Sequence, residues 1–186
     1  MKSLQTIQKV FRVFKILSQI GMILTYVWAG MCALGLLFAI ILHFGVNTVG
    51  IDANWFFSLT GTENTAQVIG ALIAETALAL TSGVLLTYTL HYFRTEESDG
   101  TPFTKRGADE IMRLGLLNIA LPIVTAIAVA IICALFSVPE GAVSDWGNLD
   151  NLSIGIIMIL ASLIFRYGAD LEGNNGKSDI FDNFRR

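Results

Sequence analysis

The chain has 186 residues, 54% of them hydrophobic and only 15% charged, with a formal net charge of −3 and a mean hydropathy of +0.64. An ordinary soluble domain carries roughly 25% charged residues. This composition argues against one, and the absence of basic surface outside three Lys/Arg blocks argues against nucleic acid as a ligand. Apolar residues gather instead into four runs, each suited to the roughly 30 Å hydrocarbon layer that about 20 helical residues cross.

The chain opens on residues 1–16, a basic amphipathic segment. Leu4, Ile7, Phe11 and Phe14 recur at helical spacing while Lys2, Lys9, Arg12 and Lys15 supply charge. Such a segment either lies in the membrane interface, drawn by anionic lipid, or extends the first span into the cytoplasm. The first span covers about residues 17–42. It is far longer than the 7–15-residue core of a signal peptide and has no A-x-A-like site. Ala29-Gly30-Met31-Cys32 lacks the small residue that a lipoprotein site wants before its Cys, so an uncleaved helix is expected.

The second span covers about 66–92, the third about 111–136 and the fourth about 152–167, the shortest. All twelve Lys and Arg fall in the blocks Lys2–Lys15, Arg94–Arg113 and Arg166–Arg186, and the stretches at about 43–66 and 138–151 have none. Short loops that keep Lys and Arg stay cytoplasmic. Trp55, Phe56, Phe57 and Trp146 stand near outer span ends, where aromatic side chains settle. Backbone groups in lipid must be satisfied internally, so the spans are helices. The expected fold is all-α: an integral membrane four-helix bundle, residues 17–172, with N and C termini cytoplasmic and a cytoplasmic tail, 173–186. The place is the cell membrane. A two-hairpin repeat finds too little identity between the halves.

The cytoplasmic connection has a turn at Asp99-Gly100. Either Thr104 or Thr101 caps the third helix, and with Thr101 as cap Pro102 takes the first helical position. Beyond the fourth span the helix runs on until Gly173-Asn174-Asn175-Gly176, which is expected to end it. Glu96-Glu97-x-Asp99 reads as a solvated turn.

Two of these places carry a likeness. Gly100-x-Pro102-Phe103 before the third span and Phe165-Arg166-x-Gly168-Ala169-x-Leu171 after the fourth resemble an uncharacterised bacterial membrane family, catalogued as domain of unknown function 2975. The resemblance implies four spans with both ends inside. It also implies a regulatory or signalling link, because members often sit beside small helix-turn-helix regulators. It implies no catalytic residue. Gly173 to Ile180 departs from the acid-rich stretch usual there. Pro102, Phe103, Arg166, Gly168 and Leu171 thus make a candidate cytoplasmic interaction motif.

Glu75 is the one ionisable residue well inside a span, about nine residues from its outer end and so roughly 13 Å deep. An acid there is by default a candidate functional site. Counting along the helices puts Thr125 and Ser162 nearest its level, with Trp28 and Asn118 deeper. Ala71, Glu75, Ala79 and Ser82 form one small and polar stripe, extended by Thr89. Gly115, Asn118, Pro122, Thr125 and Cys133 form another, and the two are expected to face each other. Glu75, Asn118, Thr125, Ser162 and Ser82 are therefore the candidate intramembrane polar site. In one account small residues permit close helix approach and a neutral Glu75 is hydrogen-bonded across the interface. In the other Glu75 exchanges a proton or binds a cationic ligand, with Pro122 freeing a carbonyl nearby.

Cys32 and Cys133 are isolated, with no C-x-x-C, and read as core thiols. His43 and His91 lie near opposite faces and cannot share a metal. No phosphate loop, H-E-x-x-H or nucleophile elbow is present. The expectation is no enzyme, no cofactor and no metal. Two function classes remain. One is a regulatory, sensor or accessory protein acting through its cytoplasmic surfaces. The other is a small oligomeric transporter or channel using Glu75. The expected partners are the lipid bilayer and a second copy or another membrane protein.

Overall fold

The computed structural model describes residues 2–44, 58, 61–99, 104–144 and 150–183. Its described residues form four long helices: α1 Lys2–His43, α2 Thr65–Asp99, α3 Lys105–Phe136 and α4 Asp150–Asn183. All four contain stretches long and apolar enough to cross a membrane. Helix α1 is continuous, so residues 2–16 extend the first apolar run without a break. Helix α4 likewise runs through Gly173 and Gly176 to Asn183, correcting the expected stop. Glycine weakens a helix by about 1 kcal/mol without forbidding it. Neither glycine takes the left-handed conformation a glycine stop uses; Gly61 and Gly141 do.

Helix ends follow local chemistry. Asn64 caps α2, its Oδ1 accepting the Gln67 N–H at 3.0 Å. Thr104 caps α3, its hydroxyl oxygen accepting the Gly107 N–H at 2.9 Å; the alternative cap Thr101 lies outside the described residues. At the far end of α3, Ser137 adopts φ 50°. The Val138 N–H then reaches the Cys133 carbonyl at 3.0 Å, the six-to-one closure of a helix terminus. The freed Ser137 carbonyl accepts Gln67 Nε2 at 3.1 Å. Pro122 stands inside α3 without ending it.

The chain divides into two compact units. Unit 1 comprises Met1–Gln19, Leu85–Ile119 and Asp150–Arg186; unit 2 comprises Ile20–Val84 and Ala120–Leu149. In unit 1 a core of Tyr92, Ile111 and Leu114 is covered by Phe93, Met158, Ala161 and Phe165. Helices α3 and α4 meet there at Gly115 and Gly155. A Cβ on either would stand 2.9 Å from the other's carbonyl oxygen, so only glycine permits this approach. Phe11 and Phe14 of α1 bring their rings to 6.1 and 5.8 Å from Phe93.

In unit 2 most of the buried apolar residues are small. Val68, Ala71, Ala74, Leu78 and Ala79 of α2 are buried, as are Ala29, Cys32 and Ala39 of α1. Gly70 lies against Phe136 so closely that a Cβ would collide with its side chain. Small residues let helix backbones approach where lipid supplies no hydrophobic drive between them. Large apolar side chains such as Leu24, Leu34, Ile127 and Leu135 remain exposed, which fits helices whose outer faces meet lipid.

Candidate functional site

The residues singled out in sequence are distributed over both units. Glu75, Ser82 and Thr125 fall in unit 2, Asn118 and Ser162 in unit 1. In unit 1, buried Ser162 donates to the Ala108 carbonyl at 2.8 Å. Asn118 donates to the Leu114 carbonyl of its own helix at 3.0 Å, with Met158 Sδ at 3.8 Å. Gly115 and Asn118 thus use the polar stripe of α3 to meet α4, where sequence counting set that whole stripe against α2. The Thr125 part of the stripe does meet α2, but through Thr81, whose hydroxyl lies 2.7 Å from that of Thr125. The expected partner Ser82 donates to Leu78 of its own helix at 3.1 Å. One residue turns a helix by 100°, enough to exchange the two side chains.

Glu75 occupies a cleft built within unit 2. The chain leaves α3 and turns at Pro139-Glu140-Gly141-Ala142, closed by the Ala142 N–H on the Pro139 carbonyl at 3.2 Å. Gly141 has φ 86°, the conformation required at the third position of this turn. The turn carries Ser144 back to α2, where its N–H donates to Glu75 Oε1. No other hydrogen bond to Glu75 is formed among the described residues. Its half-buried carboxylate opens onto a cleft of about 610 Å³, whose walls include Trp28, Met31 and Cys32 of α1, Leu72, and the turn residues Gly141 and Ala142. Trp28, expected deeper than Glu75, lines the same cleft.

The charge setting is one-sided. Unit 2 contains no Lys or Arg, whereas five acids fall in its sequence: Asp52, Glu63, Glu75, Glu140 and Asp145. Glu75 therefore has no Lys or Arg of its own unit as a counter-ion.

Unit 1 is the opposite. Lys15 Nζ lies 2.6 Å and Arg12 Nε 3.5 Å from the Glu97 carboxylate. Lys105 meets Asp170 at 2.8 Å and Arg166 meets Asp109 at 3.8 Å. Glu97 lies beyond the second apolar run, and the hydrogen bond and charge of Lys15, with Arg12, hold its carboxyl below the usual glutamate range.

The solvated-turn reading of Glu96-Glu97-x-Asp99 is corrected at Glu96, which is 2% exposed. Helix α2 continues to Asp99, which places Glu96 one turn after Tyr92 on the packed face. Gly107 leaves its carboxylate the space that a side chain would fill. Nearby, Glu110 Oε1 accepts from Thr95 at 3.3 Å and Arg106 at 3.4 Å. Glu110 also borders a cavity of about 300 Å³ with His91, Tyr88 and Arg113. The four-residue spacing of Tyr92 and Glu96 was the available signal for this buried acid.

Of the interaction motif, Pro102 and Phe103 lie outside the described residues. Arg166 is exposed and engaged with Asp109; Phe165 packs on the unit 1 core; Gly168 is half-buried and Leu171 exposed. Cys32 and Cys133 are free thiols. Among the described residues, no group of three or more His, Cys, Asp and Glu side chains is gathered to hold a metal. No family model matches the chain, and neither a curated protein nor a solved structure matches it.

Proposed function

We propose that the chain is a multi-pass protein of the bacterial cell membrane, with both termini cytoplasmic, that works as a non-enzymatic sensor or regulatory accessory protein. In this reading it is a member of the family catalogued as domain of unknown function 2975, and it signals through the 94–110 connection and the 168–186 tail. The observation that carries the reading is the charge partition. All Lys and Arg belong to unit 1, as expected of segments retained in the cytoplasm, and several pair helix to helix. The sensing site is the Glu75 cleft.

The same cleft favours a second reading, a small oligomeric transporter in which Glu75 faces the pathway. Thermal stability of wild-type and Glu75→Gln protein in detergent from pH 5 to 9 tests whether the acid is more than packing. A pH-dependent difference supports a working carboxylate, and identical melting throughout removes the site from either reading. Ligand-dependent proton or solute flux in liposomes then separates the two: no flux is expected of the sensor.

A further inference from the structure

We infer that the Glu75 cleft of unit 2 binds an organic cation, an amine or quaternary ammonium group carrying an apolar body. The inference rests on the sensing site proposed above and names its ligand class. A half-buried carboxylate gains from a counter-charge, because even partial desolvation of an uncompensated charge is unfavourable. Among the described residues Glu75 accepts one backbone N–H, from Ser144, and unit 2 contains no Lys or Arg to complete it. A positive group from outside supplies what the unit lacks.

The cleft walls decide which kind of cation fits. A hard inorganic ion such as calcium takes six to eight oxygen ligands, whereas among the described residues one carboxylate lines the cleft, together with the apolar Trp28, Met31, Cys32 and Leu72. An indole beside a carboxylate is a setting for an alkylammonium group, which the ring face attracts. Met31 adds a polarisable, adaptable thioether. The volume of about 610 Å³ lies within the range of small-molecule sites. Trp28 is 44% exposed and so is available to a ligand. The same chemistry is offered by a free amine or by the headgroup of an aminophospholipid.

The test is calorimetric titration of the full chain in maltoside detergent with benzyltrimethylammonium, and with its uncharged isostere neopentylbenzene. Binding of the cation with one site per chain is expected, weakened on the order of tenfold or more by Glu75→Gln, as loss of a desolvated ion pair implies. Trp28→Leu, at an exposed position that leaves the fold intact, should weaken it roughly three- to tenfold. Glu63→Gln, an exposed charge of the same unit outside the cleft lining, should leave it unchanged. Phosphatidylethanolamine added to the micelles assigns the source: competition with the probe points to a lipid headgroup, its absence to a free amine, and both accord with the site. Equal binding to wild type and to both cleft variants overturns the site. Equal binding of neopentylbenzene overturns the cation class. Specific binding accompanied by flux of the probe in liposomes upholds the site while refuting the sensor reading on which it was built.

Discussion

Units 1 and 2 differ most in how they treat charge. Unit 1 holds all twelve Lys and Arg with ten acids, a formal +2, and pairs several of them across helices; unit 2 has five acids and no Lys or Arg, a formal −5. Where cations are available, carboxylates such as Glu97, Asp109 and Asp170 serve to tie one helix to another. Where none is available, Glu75 leans on a backbone N–H and opens onto a cleft. An acid in the first setting is structural by its surroundings. In the second it is incomplete, and its surroundings invite a ligand.

The comparison breaks most readily at the close helix contacts. Gly115→Leu would drive a side chain into the Gly155 carbonyl and Ile159. Overpacking of this kind costs about 1–3 kcal/mol or more, so a large fall in melting temperature, or failure to fold, is expected in thermal denaturation. Gly30→Leu meets nothing within 4 Å and should melt like wild type; equal loss in both would show that the α3–α4 approach is not what glycine provides.

A smaller effect sharpens the polar side of the comparison. Ser162→Ala in unit 1 removes a buried bond to Ala108, and Thr81→Ala in unit 2 removes the hydroxyl pair with Thr125. Interhelical bonds in membranes average about 0.6 kcal/mol, so each variant should lose a modest, similar amount of stability in a denaturant titration. A double-mutant cycle of Thr81 and Thr125 should show coupling of that order, and zero coupling would remove their pairing.

The smallest effect concerns Lys15 and Glu97. Because the folded-state acidity of Glu97 is increased by its cations, its contribution is present at neutral pH and fades as pH falls through the folded-state value, below the ordinary glutamate range. Lys15→Ala should flatten that acid limb of the stability profile, and high salt should mimic it, since the pair is partly exposed. An unchanged acid limb in the variant would show that the pair contributes nothing.

Sequence alone carried the four helices, because apolar run length and the spacing of Lys and Arg are local properties. It also identified Glu75 as the acid within an apolar run. Its surroundings were less legible. Ser144 reaches Glu75 through a turn that depends on Gly141, and counting residues along a helix has no access to a returning loop. Counting from the start of the fourth run puts Ser162 level with Glu75, yet Ser162 bonds Ala108 near the start of α3, a contact that the count along one helix does not contain. Glu96 was hidden because acid-rich composition suggested a turn, whereas the helix continues and its rotation turns that residue inward.

The proposed topology keeps the 168–186 tail in the cytoplasm and puts the 138–151 stretch, which has no Lys or Arg, on the opposite side of the membrane. Single-cysteine variants at Ser178 and Ala142, with Cys32 and Cys133 replaced by serine, test it in intact cells with a membrane-impermeant maleimide. Labelling at position 142, and at 178 only after the cells are opened, is the predicted result. Labelling of 178 in intact cells, with 142 protected until they are opened, would contradict it.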